Sequence, residues 1–222
     1  MTTSFLRAVF TIIRKDLQAE LRSRELVNSM VLFALLSVVI FSFALELNRN
    51  TRIEVIGGVL WVTLIFASVL GLNRSLVNER EHGSLDAMLI APIDRVAIYI
   101  GKMVGNFLFV LIVGLILLPL MTVLFNVSLI EPLMILTLVL GVLGFTSVGT
   151  LLATMTAQTR SRETLLPIAM MPVALPVILL VVRMSREILE GGNDDISMLT
   201  LIALNAIYLT LGAVLFEYVV ED

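Results

Sequence analysis

The sequence predicts an all-α polytopic membrane protein with six transmembrane helices, an amphipathic interfacial helix before them and a short helix in one loop. Three observations lead there: an apolar composition, its gathering into long blocks, and the uneven placement of basic residues. The chain of 222 residues is 59% hydrophobic and 15% charged, with mean hydropathy +1.04. A soluble domain is nearer half apolar and a quarter charged. Six stretches carry no charge: 27–45, 55–73, 103–130, 133–159, 164–182 and 196–216. A helix rising ~1.5 Å per residue needs roughly 20 residues to cross about 30 Å of hydrocarbon, and each stretch meets that length. No stretch alternates polar and apolar residues with period two, which excludes barrel strands. The spans are placed at about 27–46, 54–73, 100–125, 132–157, 164–183 and 197–217, in one membrane domain covering 1–222.

Residues 5–24 form the interfacial helix. Phe5, Val9, Ile13, Leu17 and Leu21 recur four apart, with Arg14, Lys15, Gln18 and Arg22 on the other side. Such a helix lies in the headgroup region with its basic face toward anionic lipid; the alternative is a cytoplasmic helix packed on a partner. No continuous apolar run precedes residue 27, so the first span is expected to direct insertion itself.

Basic residues set the orientation. Arg7, Arg14, Lys15, Arg22, Arg24, Arg74, Arg80, Arg95, Lys102, Arg160 and Arg162 fall on one side of the six spans. Only Arg49, Arg52, Arg183 and Arg186 fall on the other. The positive-inside rule then places both termini in the cytoplasm.

The segment 78–92 is the most polar and turn-rich piece between two spans. Gly83 can close one helix and Ser84 can cap the next, with Asp86 in the first turn where the helix dipole favours a carboxylate. Leu85, Met88 and Leu89 share a face, and Pro92 stops the helix after about two turns. A second protein is expected to push on this short amphipathic helix: Leu85, Met88 and Leu89 in a groove, Glu79, Glu81 and Asp86 against basic residues at its rim.

Within the spans, Trp61 reads as an interfacial anchor rather than a ligand platform. Ala67 and Gly71 suit close helix packing, Asn106 is expected to bond across to another helix, and Pro119 should kink the third span. Thr146, Thr150 and Thr154, four apart and near Gly141, Gly144 and Gly149, read as helix packing or as the lining of a subunit interface or path. Pro167, Pro172 and Pro176 predict a bent fifth span whose freed backbone groups need partners; Pro172 and Pro176 join the threonines as packing or path-lining candidates. Gly191-Gly192-Asn193-Asp194-Asp195 forms an acidic turn.

Several chemistries are missing from the sequence. Cysteine is absent, which removes disulfides, thiolate ligands and covalent haem attachment. The lone histidine, His82, lies in a loop and reads as solvated. No span carries an ionisable residue at its middle, where insertion costs about 2.5–3.5 kcal/mol and a charge usually marks an ion path or active site. No Gly-x-x-x-x-Gly-Lys-[Ser/Thr] loop is present, so ATP would be bound by a partner chain. Catalytic, cofactor and metal residues are therefore expected to be none. A lipid transferase built on Glu79, Glu81 and Asp86 is the competing class, and helix capping explains those residues better.

Residues 14–25 before the first span, Gly58-Val59-Leu60-Trp61-Val62, and 79–92 with its Glu81, Gly83, Ser84 and Leu85 pattern together resemble CcmB, the haem exporter protein B family of cytochrome c maturation. The likeness covers nearly the whole chain. It implies an ABC-2 type permease fold in the bacterial inner membrane, and a non-catalytic subunit paired with the ATPase CcmA. It further implies association with CcmC, CcmD and the haem chaperone CcmE, ATP hydrolysis being linked to release of haem-loaded CcmE. Haem is then cargo of the complex; one tryptophan, one histidine and no cysteine make a poor haem site here. The 78–92 pattern is shared with many ABC-2 type permeases, so another amphipathic cargo (lipid, polysaccharide or drug) is the alternative. No nucleic-acid partner is expected.

Overall fold

The computed structural model describes residues 4–45, 49–81, 87–88, 90–157, 162–192 and 194–219. Among the described residues there are seven helices and no strand: α1 Phe5–Ser23, α2 Glu25–Ala44, α3 Arg49–Glu81, α4 Arg95–Phe125, α5 Pro132–Ala157, α6 Arg162–Leu189 and α7 Asp195–Val219. The last six each contain a segment long and apolar enough to cross a membrane. This is a multi-pass membrane protein, as the hydropathy blocks predict.

Local chemistry explains the boundaries. Arg24 sits in the left-handed region at φ 52°, ending α1 and starting α2 at one residue. The Glu20 carboxylate reaches across that elbow and accepts from the Val27 and Leu26 N–H groups, at 2.8 and 3.4 Å. It thereby satisfies donors that the first turn of α2 would otherwise leave open. At the far end of α4, Asn126 is again left-handed. The Arg52 guanidinium donates to the Phe125 carbonyl at 3.2 Å, and the Leu129 N–H donates to Thr122 Oγ1 at 3.1 Å.

Contacts between helices run through small residues. Helix association inside a bilayer draws little on hydrophobicity, so close approach and hydrogen bonds carry it. Trp61 shows this directly. Its ring is 2% exposed and lies in the bundle among α3, α5 and α6. A Cβ at Gly141 would stand 2.4 Å from the ring, and the indole N–H donates to Ser185 Oγ at 2.9 Å. Trp61 is thus a core wedge and not the interfacial anchor expected from its position near a span end. The anchor expectation failed because tryptophan prefers any site offering an apolar pocket and one acceptor, and Gly141 with Ser185 supplies both. Ala67 and Gly71 behave as expected, Ala67 fully buried and Gly71 against Met30 of α2.

Pro119, Pro172 and Pro176 do not line the packed interior. Helices α4 and α6 continue through Pro119, Pro167, Pro172 and Pro176. Pro172 and Pro176 are exposed on the outer face of α6 and do not pack within this chain. A ring that removes a backbone donor is tolerated where it adds no bulk to the core.

At the end of the bundle opposite the termini, Asp194 caps α7. Its carboxylate accepts from the Ser197 hydroxyl at 2.5 Å and the Ser197 N–H at 2.9 Å, and pairs with Arg183 of α6 at 2.9 Å. The Ser197 hydroxyl first, then the Ser197 N–H and Arg183, hold the carboxyl below its ordinary range. A depressed folded pKa contributes stability above the unfolded value of about 3.9, lost as pH falls through the lower folded value.

Two outcomes follow. Gly141→Leu should lower the thermal midpoint of detergent-purified protein sharply by displacing Trp61; an unchanged midpoint would refute the wedge. Asp194→Asn keeps the cap but loses the charge, so its thermal deficit at pH 7 should shrink steadily below about pH 4; a pH-independent deficit would exclude the ionic contribution.

Candidate functional site

Helix α3 contains 33 residues, so at ~1.5 Å per residue it is about 50 Å long. Its apolar part is Thr51–Ser75. The remaining turns, to Glu81, project past the apolar zone at the end of the bundle that carries both termini. The segment expected to receive a partner leaves from that projecting end.

An ionic cluster lies at the base of the projection. Lys102 of α4 is 6% exposed and Glu79 of α3 is 8% exposed. The Lys102 ammonium pairs with the Glu79 carboxylate and with Asp16 of α1, 3.1 Å from Asp16 Oδ2. Lys15 meets the other oxygen of Asp16 at 3.0 Å. Three helices thus converge on one buried ammonium. Asp16 gets there because Ala8, Ile12 and Asp16, four apart, form the face of α1 turned to α4. Ile12 seats on Gly101, where a Cβ would stand 2.9 Å from its side chain.

The polar groups continue into the bundle along α4. Tyr99 donates to the Ser147 carbonyl at 3.0 Å, and Asn106 Nδ2 donates to Thr150 Oγ1 at 3.0 Å, the cross-helix bond expected of Asn106. Tyr99, Lys102 and Asn106 are three and four residues apart and share a helix face. A narrow cleft lies beside them, lined by Ser75, Glu79, Lys102, Asn106, Thr150 and Thr154 with apolar neighbours. Within the threonine stripe, Thr150 makes this contact between helices. Thr146 and Thr154 donate to carbonyls of their own helix, Thr146 fully buried and Thr154 half-buried.

Of the expected docking residues, Gly83, Ser84, Leu85, Asp86 and Leu89 lie outside the described residues, as does His82. Glu81 ends α3. Pro92 is exposed. Glu79, 8% exposed, is turned inward to Lys102 and so does not stand at a rim. Met88 is half-buried against this chain's own cluster of Ile12, Ile98, Tyr99 and Phe216, its sulfur 4.0 Å from Lys15 Nζ. The large exposed apolar residue near it is Ile90, 85% exposed.

Lys102 and Asp16 were also missed. One signal was available: Asp16 shares the Ala8–Ile12 face rather than the Arg14–Arg22 face. A carboxylate on an apolar helix face needs a partner. Among the described residues, no cluster of His, Asp and Glu could hold a metal ion.

Removing the ammonium while keeping the carboxylates leaves buried charge uncompensated, which typically costs about 3–5 kcal/mol. Lys102→Met should therefore lower the thermal midpoint strongly, and adding Asp16→Asn and Glu79→Gln should recover most of the loss. A triple variant no better than Lys102→Met would show that packing, not charge, explains the effect.

The chain resembles known proteins along most of its length. The family model described as CcmB protein matches residues 7–221. Heme exporter protein B of Pseudomonas aeruginosa is 25% identical over 191 residues, 86% of this chain and 85% of that protein. The Rhodobacter capsulatus protein of the same name is 24% identical over 196 residues, covering 88% and 90% of the two chains. With a match spanning both α1 and all six apolar helices, this chain belongs to the CcmB protein family.

Proposed function

We propose that this chain is the permease subunit of an ABC transporter complex for cytochrome c maturation in the bacterial inner membrane, with both termini cytoplasmic. A CcmA-like ATPase would supply the energy, with CcmC-, CcmD- and CcmE-like proteins as further partners. Haem would be cargo of the complex, and the output of the cycle the release of haem-loaded CcmE. The observation that carries this reading is α3, an unbroken helix from Arg49 to Glu81 that joins the far end of the bundle to the 78–92 segment. A push on that segment acts on the end of a rigid rod.

The buried cluster gives the push somewhere to go. Glu79 is the last described side chain of α3 before the loop, and through Lys102 it engages α4 and α1 together. Displacing it by a few ångströms either carries α4 along or separates charges in a region of low dielectric. Because separation is costly, the helices move together. The family membership and the absence of a phosphate-binding loop from the sequence support a subunit that transmits work and does not hydrolyse ATP.

Leu85→Asp should abolish co-purification with the ATPase while the protein still accumulates in the membrane. Undiminished co-purification would sink the docking role of the segment. For transmission, the Asp16→Asn, Lys102→Met, Glu79→Gln triple variant should still bind the ATPase but support much less holocytochrome c in cells, scored by haem staining. Wild-type yields from a stably folded triple variant would disprove the linkage.

A further inference from the structure

We infer that the outer surface of α1 is a binding surface for anionic phospholipid, with a headgroup seat at Gln18 and Arg22. At 3.6 residues per turn, α1 divides into three sectors. One is turned to the protein and holds Ala8 and Ile12, each 4% exposed, with Asp16. The next holds Leu6, Phe10 and Leu21, which are 76%, 66% and 71% exposed. The third holds Arg7, Arg14, Gln18 and Arg22, all exposed.

The order of the sectors identifies the occupant. A helix facing only water would not present Leu6, Phe10 and Leu21 together. A helix wholly in hydrocarbon would not carry three unpaired guanidinium groups beside them, and Arg7, Arg14 and Arg22 make no ion pair among the described residues. Apolar and cationic strips side by side match the boundary between acyl chains and headgroups, where basic residues attract anionic lipid. The elbow at Arg24 leads directly from α1 into α2, which exposes Leu32, Leu36, Ile40 and Phe43 along its length. Both apolar strips are left uncovered by the protein, so lipid can cover each. A shallow groove lined by Lys15, Gln18, Ala19, Leu21 and Arg22 lies on the last turns of α1; there Arg22 and Gln18 offer a phosphate a guanidinium and an amide, beside the Lys15 ammonium that Asp16 already holds. Since α1 is already fastened to α4 through Ile12 and Asp16, the surface is held in place before any lipid arrives.

The test uses the purified full chain in micelles containing equal phosphatidylglycerol and phosphatidylcholine, with retained lipids counted by native mass spectrometry. Wild type should keep phosphatidylglycerol in preference. Arg7→Gln, Arg14→Gln and Arg22→Gln should each reduce the preference, by up to about fivefold per residue. The matching Arg→Lys triple variant should retain it. Equal retention of the two lipids by wild type, or a preference untouched by the three Gln substitutions together, would overturn the proposal. A photo-crosslinking residue at Phe10 in whole membranes reads the same surface without altering its charge. Phospholipid adducts are expected there, and adducts to a protein chain would show a partner subunit on this face instead.

Discussion

The arrangement of this protein at the end carrying its termini depends on one buried ammonium. Lys102 sits between carboxylates from two other helices, Asp16 of α1 and Glu79 of α3. An ammonium and two carboxylates taken out of water are costly to hold unless each meets an opposite charge at hydrogen-bond distance. Tyr99 and Asn106, on the same face of α4, add hydrogen bonds to α5. The position of α1 against the bundle and the direction in which α3 enters its loop both follow. The cluster lies beside the turns of α3 that pass Ser75, not in the middle of an apolar span, where the same charges would be harder to accommodate.

Deeper in the bundle the holding interactions change character. Trp61 on Gly141 and Ser185, Asn205 Nδ2 on the Leu140 carbonyl at 3.0 Å, and Tyr208 on the Val173 carbonyl at 2.7 Å each join two helices through one polar contact. The buried Asn205 Oδ1 has no conventional donor among the described residues and lies over Gly144, where a Cβ would stand 2.4 Å away. A glycine Cα–H is the weak donor that such a close approach can offer. Larger groups that would obstruct this packing, including Pro172 and Pro176, are on the outside.

These two regimes divide the work in the proposed mechanism. The lipid-embedded part is held by small-residue contacts spread over many turns and behaves as one body. The ionic cluster joins that body to α1 and to the projecting end of α3, the two parts nearest a cytosolic partner in the proposed orientation. Charge pairs suit that junction because they resist separation yet tolerate small sliding, whereas Trp61 in its slot tolerates neither.

The sequence alone was sufficient for the number of apolar helices, the amphipathic helix ahead of them, the Asn106 cross-link and the Ala67–Gly71 contact. These follow from hydropathy blocks and helical spacing, which are local properties of the chain. Which face of α1 turns inward was not local: the stripe of Phe5, Val9, Ile13, Leu17 and Leu21 is longer, yet Ala8 and Ile12 are the buried residues, and Gly101 lets α4 approach Ile12. The partners of Lys102 lie 86 residues away at Asp16 and on a different helix at Glu79, and the acceptor for Trp61 is 124 residues distant. Spacing within one helix cannot specify such pairs. They exist only once separate helices are packed, so tertiary structure decided where the charges are buried and which polar groups became part of the core.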